Sequence, residues 1–395
     1  MRIFKFRTPH ISEEGRLFSW TSLIYGMGIS MLLPIFPNFV ESIINSEAYV
    51  GFFYSAMSIS MVIAGLASSY FFKRYSRLAT LYVALFMAGL LAMFFVFVNN
   101  FYLLFVIDFI RTFFSLFVMM TLGLFVHDFA KKRDLGKTEG FYFLFNNIGY
   151  LIGPIVGGVV ASLAGYEPVF VLSGMCLLVA LLFVGHQHLL AKHPSLATPP
   201  SPTVKKKKGG KLKRFFSNKN RFGAYLISIS LVSWMSFKAI FIPLFVVTNG
   251  FGSDVSGLII SLAILPCIFF EFPIGKYADK HGVRIPIALG FLIIAFFITA
   301  AWAAPVFYLK ALFIILANIG GAFIEPLHDV YFFKNVPKEE EDEMIGVFVT
   351  ADPIGRFIGP GIISISLLLL PFDSVFLVFA GIFALTGLLS FMIKD

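Results

Sequence analysis

Residues 255–304 read VSGLIISLAILPCIFFEFPIGKYADKHGVRIPIALGFLIIAFFITAAWAA, which is two long apolar segments joined by one short charged turn. Each apolar segment has about 20 residues, the length that an α-helix needs to cross a hydrocarbon core about 30 Å thick. Most of the charged residues of this stretch lie in the turn. The pattern predicts two membrane-spanning helices with a tight connection outside the bilayer.

The same pattern recurs along the whole chain of 395 residues. Hydrophobic residues make up 58% and charged residues 13%, whereas an average soluble domain has roughly 45–50% and about 25%. We therefore expect an all-α polytopic membrane protein, which excludes a soluble enzyme, a nucleic-acid binder and a disordered scaffold. About twelve spans are predicted, numbered in chain order, at residues 17–40, 48–72, 78–98, 101–127, 140–163, 168–190, 222–247, 255–276, 285–304, 306–333, 344–370 and 374–393.

The basic residues predict the orientation of these spans. Most of the 31 lysines and arginines lie in alternate loops, beginning with the N-terminal tail. Because loops rich in Lys and Arg stay in the cytoplasm, we expect a multi-pass protein of the inner membrane with both termini cytoplasmic. The predicted parts are a tail at 1–16, a six-helix half at 17–190, a basic linker at 191–221 and a second six-helix half at 222–395. The linker lysines suit anionic lipid headgroups rather than nucleic acid.

The two halves share glycines and prolines at one constant, gapless offset. The matched pairs are Gly140 and Gly346, Gly149 and Gly355, Gly153 and Gly359, Pro154 and Pro360, Pro37 and Pro243, and Gly51 and Gly257. The match extends over three pairs of spans. It predicts a parallel repeat of one six-helix architecture.

Three motifs add to this repeat. The first is a turn between spans 8 and 9, formed by Gly275, Asp279, Lys280, Gly282 and Arg284. The second lies in span 5, at Gly140, Gly149, Gly153, Pro154, Gly157 and Gly158, and the third lies in span 1, at Gly28, Pro34 and Pro37. Gly275 would let two helices approach, and Gly282 would permit a tight turn. We expect Pro154 and the glycines around it to pack span 5 against a span of the other half.

On these residues the chain resembles the major facilitator superfamily over nearly its whole length. Spans 1, 4 and 5 resemble the twelve-helix drug:proton antiporters of that family, in which Arg111 has a counterpart. The resemblance implies the major facilitator fold, with spans 1, 4, 7 and 10 around a central cavity. Two features depart from that group: the residues after Arg111 lack its Gln-Gly, and span 1 has no acidic residue.

Ionisable residues inside the predicted spans mark the candidate cavity, because each costs at least about 2.5 kcal/mol in lipid. Spans 4 and 11 each carry an acidic and a basic residue at a spacing that places them on one helix face. The candidate substrate or proton sites are Asp108, Arg111, Lys238, Glu325, Asp352 and Arg356. For the close pairs, a structural salt bridge stays open as the alternative.

A further pattern predicts a contact between the halves. In the first half, Ser69, Lys73, Arg74 and Ser76 take the places of Gly275, Asp279, Lys280 and Gly282. The aspartate is lost and a lysine is gained, while the residues before span 11 are acidic. We therefore predict a charged contact between the halves on the cytoplasmic side, which we call the latch, with charges reversed relative to the turn between spans 8 and 9. Its basic residues are Lys73, Arg74 and Arg77, and its acidic residues are Glu339, Glu340, Glu341, Asp342 and Glu343. The corresponding prediction for the other turn places Asp279 near Lys131, Lys132 and Arg133.

These patterns predict a secondary active transporter that works by alternating access, with proton-coupled efflux of a small organic compound as the main hypothesis. Uptake or facilitated passage of a sugar or metabolite, and a non-transporting scaffold or sensor, are the alternatives. No phosphate-binding loop, metal cluster or nucleophile–base pattern is seen, so we expect no enzyme, metal or cofactor beyond the proton gradient. The expected partners are the small-molecule substrate and the lipid bilayer, with no nucleic acid, and the protein is expected to be a monomer.

Overall fold

A computed structural model describes residues 13–129, 135–186 and 210–392. All regular elements in these ranges are helices, which confirms the prediction of an all-α chain. The physical reason is that a helix pairs its backbone N–H and C=O groups internally, and a bilayer offers them no other partner.

The first half has one interrupted span and five continuous ones. Span 1 consists of the helices Glu13–Ser30 and Phe36–Ile44. Between them the chain turns more tightly, with the Leu33 amide donating to the Ser30 carbonyl at 3.1 Å. Pro34 and Pro37 cannot donate a backbone hydrogen bond, which explains the interruption. Spans 2 to 6 are the helices Glu47–Arg74, Arg77–Phe94 with the 3-10 turn Phe95–Phe97, Phe101–Phe129, Leu135–Ala164 and Tyr166–His186.

The short helix Lys211–Phe216 lies at the end of the predicted linker, and the second half that follows has more interruptions. Span 7 contains a π-helical turn, Phe237–Phe241, directly before Pro243, which is the counterpart of Pro37. The remaining second-half elements are Lys219–Ser236 and Ile242–Thr248 of span 7, Ser253–Leu262 and Leu265–His281 of span 8, Arg284–Ala303 of span 9, Phe307–Ile324 and His328–Lys334 of span 10, Lys338–Glu340, Glu341–Phe348 and Ala351–Leu369 of span 11, and Ser374–Ser390 of span 12.

Length and hydropathy single out the helices that can cross a membrane. Within the described ranges, ten helices are long and apolar enough to do so, and they are spans 2 to 11. The other two predicted spans are the interrupted span 1 and span 12, whose helix has 17 residues. The structure is therefore that of a polytopic helical membrane protein.

Packing within the two halves follows one scheme. In the first half, span 1 packs on span 5, span 3 packs on spans 4 and 6, and span 2 packs on span 4. In the second half, span 7 packs on span 11, span 9 packs on spans 10 and 12, and span 8 packs on span 10. The same pairs of spans meet in each half, as the constant offset of glycines and prolines requires.

The halves meet through spans 2 and 11 and through spans 5 and 8. Gly51 of span 2 lies against the Pro360 carbonyl of span 11, and Gly158 of span 5 lies against the Ser253 carbonyl of span 8. A side chain at either glycine would overlap backbone atoms of the other half. Further bonds connect the halves here, with the Phe52 amide donating to Ser364 Oγ at 2.8 Å and Asn38 Nδ2 donating to the Pro243 carbonyl at 3.3 Å.

We call this the closed end of the bundle, and it carries the connections at residues 45–46 and 249–252. The opposite end, the open end, carries the connections at residues 75–76 and 282–283. Glycines near the open end on the same four spans have no neighbouring atom within 4 Å of the place a side chain would take, and they are Gly65, Gly140, Gly275 and Gly346. Spans 2, 5, 8 and 11 therefore pack tightly at one end and diverge at the other.

The span-5 motif divides its contacts between two partners. Pro154 and Gly158 contact span 8 of the other half, as expected, with the Pro154 carbonyl against Gly257. Gly149, Gly153 and Gly157 instead face the backbone of span 1 in the same half. For these three the prediction was wrong, because glycines three or four residues apart share one helix face while Gly158 lies on the next face.

We expect Gly158→Leu to separate the halves at the closed end. Its side chain would overlap the Ser253 carbonyl, and helices packed through larger side chains stand 8–10 Å apart. Electron-electron resonance between spin labels, carried by noncanonical amino acids at Ser42 and Asn249, should show a distance longer by at least about 2 Å.

The matched control is Gly185→Leu on span 6, where no atom lies within 4 Å. It should leave the label distance unchanged. A Gly158→Leu protein with the wild-type distance distribution would contradict the close packing of spans 5 and 8.

Candidate functional site

Asp108 and Arg111 form a buried ion pair on span 4. Arg111 donates from Nε at 2.8 Å and from Nη2 at 2.6 Å to the same Asp108 oxygen, Oδ1. Asp108 is 1% exposed. The guanidinium carbon lies 5.5 Å from the centre of the Phe36 ring and 5.6 Å from that of Phe95. The pair is internally neutral and enclosed by aromatic side chains, which favours a structural salt bridge over a proton site.

Asp352 and Arg356 form the second predicted pair, on span 11. Arg356 Nε donates to Asp352 Oδ2 at 2.9 Å, and the two side chains are 37% and 38% exposed. The spacing of four residues puts both groups on one helix face. The two charges of this pair also neutralise each other. Its side chains are accessible to solvent, however, whereas those of Asp108 and Arg111 are largely buried.

Lys238 differs from these four residues because it has no ion-pair partner. It lies in the π-helical turn Phe237–Phe241 of span 7. Its ammonium group is 5.7 Å from the centre of the Trp234 ring, and the ion pairs of the described chain do not include it. Pro243 favours the π turn, because it cannot donate a regular helical bond and the residues before it must adjust.

Glu325 lies at the break in span 10, where Pro326 interrupts the helix. Its carboxylate meets Cys267 and Glu271 of span 8. One potential ligand atom from each of these three side chains lies within 4.8 Å of the others, and the Cys267 thiol donates to Glu325 Oε2 at 3.8 Å. Lys238 lies close enough to Cys267 and Glu271 for its charge to interact with both groups.

Sequence reasoning selected Glu325 and Lys238 but omitted Glu271 and Cys267 from the site. The available signal was the spacing of four residues between Cys267 and Glu271, which places them on one face of span 8. Which span that face meets is a property of the packed bundle. The structure thus brings Lys238, Cys267, Glu271 and Glu325 together from three spans.

The Cys267, Glu271 and Glu325 side chains are of the types that bind divalent metal ions. They supply three donors, and the Lys238 ammonium nearby repels a cation. We therefore assign no metal to this group. Its distinctive property is a cysteine and two carboxylates at membrane depth, with a lysine close to them.

The turn between spans 8 and 9, at the open end, agrees in part with the predictions made from its sequence. Gly282 has φ of 87°, a left-handed conformation that favours glycine, and its amide donates to the Ala278 carbonyl at 3.0 Å. Lys280 lies in the last turn of span 8, which ends at His281, and Arg284 begins span 9. Gly275 was expected to bring two helices together, and this was wrong for the conformation seen, since nothing lies within 4 Å of it. Its helix belongs to the diverging end of the bundle.

The structure describes part of the predicted latch. Glu340 pairs within its own half, with Arg221 at 2.8 Å and Arg214 at 3.8 Å. Arg74 is exposed on the other half. The side chains of Lys73, Glu339, Asp342 and Glu343 lie outside the described part of the chain, as do residues Lys131, Lys132 and Arg133 that were predicted near Asp279.

The span-1 motif serves packing and shape. Gly28 lies against Leu177 and Cys176 of span 6, where a side chain would collide, and its carbonyl accepts a bond of 2.7 Å from Ser173. Pro34 and Pro37 interrupt the span, which brings Phe36 over Arg111.

Comparison with known proteins agrees with this architecture. A sequence model of the Major Facilitator Superfamily matches residues 18–255 and 226–395. The chain is 21% identical to an uncharacterized MFS-type transporter of Methanocaldococcus jannaschii over 88% of this chain and 89% of that protein. It is 23% identical to multidrug resistance protein 2 of Bacillus subtilis over 85% and 84%. It is also 23% identical to the staphylopine export protein of Staphylococcus aureus over 70% of each chain.

Solved structures resemble the fold at low sequence identity. The nucleoside transporter NupG superposes with a TM-score of 0.76 at 15% identity, covering 97% of this chain and 100% of that one. The peptide transporter POT superposes with a TM-score of 0.78 at 11% identity, covering 96% and 93%. At such identities the likeness is one of fold alone.

We expect Arg111→Ala to lower the free energy of unfolding by about 3–5 kcal/mol, because it leaves the buried Asp108 carboxylate unpaired. Unfolding of the purified protein in detergent measures the loss. The double variant Asp108→Ala, Arg111→Ala should be more stable than the single one, since no buried charge remains.

Arg356→Ala is the matched control, in a pair that is more than one third exposed. It should cost only about 0–1 kcal/mol. Equal losses for Arg111→Ala and for the double variant would show that the Asp108 charge is not what makes the pair necessary.

Proposed function

The chain belongs to the Major Facilitator Superfamily, and from this premise we propose that it exports a small organic compound in exchange for protons. A transporter of this family moves its substrate by exposing one site to the two sides of the membrane in turn. The relatives named for multidrug resistance and for staphylopine export favour export over uptake. Uptake or facilitated passage of a metabolite is the alternative that the experiments below separate from it.

The charge distribution supports a cytoplasmic location for the open end. Arg74, Arg77, Lys276 and Lys280 all lie there, whereas Lys310 is the basic residue near the closed end. Lys310 donates to Asp373 at 2.7 Å and is neutralised by it. Loops rich in Lys and Arg stay in the cytoplasm. In this orientation the conformation described is open to the cytoplasm, ready to receive a compound for export.

The observation that carries proton coupling is the pair of carboxylates at Glu271 and Glu325. They come from spans 8 and 10, and no basic side chain lies within 4 Å of either in the described chain. Two carboxylates so close at membrane depth are most easily accommodated with one proton between them. Asp108 is a poorer candidate, because Arg111 already neutralises it.

The proposed cycle uses this pair as the exchange point. In the conformation open to the cytoplasm, the carboxylates release a proton and the compound binds. Closure of the open end and separation of the closed end then expose the site to the outside. There the compound leaves and a proton returns to the carboxylates, which resets the transporter.

Closure of the cytoplasmic end would engage the latch. Glu340 is held by Arg221 and Arg214 when this end is open. We propose that Lys73, Arg74 and Arg77 meet the acidic residues 339–343 when it closes. The two sets of contacts would then stabilise opposite conformations, and several exposed pairs together suffice to shift a balance of a few kcal/mol.

We expect Glu325→Gln to remove proton coupling, because one of the two carboxylates that exchange the proton is lost. Everted vesicles containing the protein are energised, and proton release is followed with a pH-sensitive dye as ethidium, tryptophan, tryptamine and indole-3-propionate are added in turn. The wild type should release protons with at least one of these compounds, and Glu325→Gln should give no proton signal with it.

The matched control is Glu167→Gln, which removes the same charge from an exposed position at the closed end of span 6. It should behave like the wild type. Proton release that persists in Glu325→Gln would refute the assignment of the coupling site, and compound fluxes that ignore the gradient altogether would favour facilitated passage.

The latch predicts charge complementation between the halves. Arg74→Glu and Glu341→Lys should each slow transport by up to about fivefold, as expected for an exposed ion pair worth about 0–1 kcal/mol. The combined variant should recover most of the rate, because the pair is restored with its signs exchanged. A double variant that is as slow as the two losses added together would show that these residues do not meet.

A further inference from the structure

Three ionisable side chains that cluster within the spans of the second half have no partner of opposite charge within 4 Å in the described chain. They are Lys238, Glu271 and Glu325, whereas the acids of spans 4 and 11 are each paired with an arginine. The unpaired groups are of both signs and come from spans 7, 8 and 10. They also lie near one another, because Lys238 is within electrostatic reach of Glu271 and Glu271 is in the same group as Glu325.

Unpaired charges at membrane depth destabilise a folded protein. Packing alone gives no reason to keep them. Where such charges persist, they line a cavity or meet a charged ligand during function. The paired residues Asp108 and Arg111 show that this chain neutralises charges where it needs only structure.

Trp234 adds an unpartnered polar group beside these charges. Its side chain is 0% exposed, and its indole Nε1 is buried without a hydrogen-bond partner in the described chain. The Lys238 ammonium is 5.7 Å from its ring. Its Nε1 faces Gly321 of span 10, at 3.1 Å from the place of a Cβ there, one helical turn before Glu325. Trp234 thus lies between the lysine of span 7 and the carboxylate of span 10.

We propose that the substrate carries both an ammonium and a carboxylate group, as an aminocarboxylate does. The carboxylate binds Lys238, and the ammonium binds Glu271 and Glu325. The Cys267 thiol, which donates to Glu325 at 3.8 Å, holds that carboxylate towards span 8. The inference rests on the proposed transport function and names its substrate class.

Other ligand charges leave the site worse satisfied. A compound with only a positive charge is repelled by Lys238 and leaves it unpaired. A compound with only a negative charge is repelled by two carboxylates. An aminocarboxylate pairs its carboxylate with Lys238 and its ammonium with the two acids, which have released their proton when it binds.

Three indole compounds of closely similar size test this charge requirement. Tryptophan carries both charges, tryptamine only the ammonium and indole-3-propionate only the carboxylate. We measure the shift in melting temperature of the purified full-length protein with each compound at millimolar concentration. We repeat it with a second set, 6-aminohexanoate, hexylamine and hexanoate. Each aminocarboxylate is expected to stabilise the protein more than its two analogues.

Lys238→Met tests the carboxylate contact. It should weaken aminocarboxylate binding by at least about tenfold and remove the advantage over the amine, because the deleted group is the carboxylate's partner. The unliganded variant should melt no lower than the wild type, since an unpaired charge has been removed. The matched control is Lys219→Met at the open end of the same span, an exposed residue, and it should bind as the wild type does.

Two results would overturn the proposal. One is that neither aminocarboxylate stabilises the protein more than its single-charge analogues. The other is that Lys238→Met leaves the aminocarboxylate shift unchanged. These binding measurements need no proton gradient. Selective binding without gradient-dependent flux would therefore refute proton-coupled export alone, and coupled flux of ethidium without this selectivity would refute the substrate class alone.

Discussion

A bilayer offers neither hydrogen-bond partners nor counter-ions, so every polar group at membrane depth must find its partner within the protein or in a ligand. This constraint explains the helical spans, whose backbone groups pair internally. It also explains why Asp108 and Arg111 bond at 2.6 and 2.8 Å inside an aromatic enclosure. The same constraint makes polar groups that lack a partner informative, because they indicate where a ligand binds. In the described chain, Lys238, Glu271 and Glu325 have no partner of opposite charge within 4 Å, and it is there that we propose the substrate and the proton bind.

The halves share a backbone and differ in charge. At the repeat offset, Asn146 and Tyr150 stand where the second half has Asp352 and Arg356, and Leu32 and Gly65 stand where it has Lys238 and Glu271. In the described chain, the first half has one buried ion pair inside its spans, that of Asp108 and Arg111. The site that we propose lies in the second half, where spans 7, 8 and 10 are each interrupted by a π turn or near a proline.

Small residues lie where the two halves meet. Backbone-to-backbone contact at Gly51 and Gly158 closes one end without long side chains that would interlock. Glycines at the other ends of the same spans are free of neighbours within 4 Å. Because both ends of spans 2, 5, 8 and 11 carry glycine, each end is able to form close contact when the other opens. The arrangement suits a rocking exchange between two closures.

The sequence by itself determined the spans, the repeat and the family, because each depends on local features: apolar length, the spacing of glycine and proline, and charge in alternate loops. It also determined that the acid and base on span 4, and those on span 11, share a helix face. The tertiary structure decided which of these charges are neutralised and which are not. It alone brought Cys267 and Glu271 to Glu325, and it turned Gly153 towards span 1 rather than the other half. Contacts between distant spans depend on how helices rotate and cross when they pack, and no local pattern in the chain specifies that rotation.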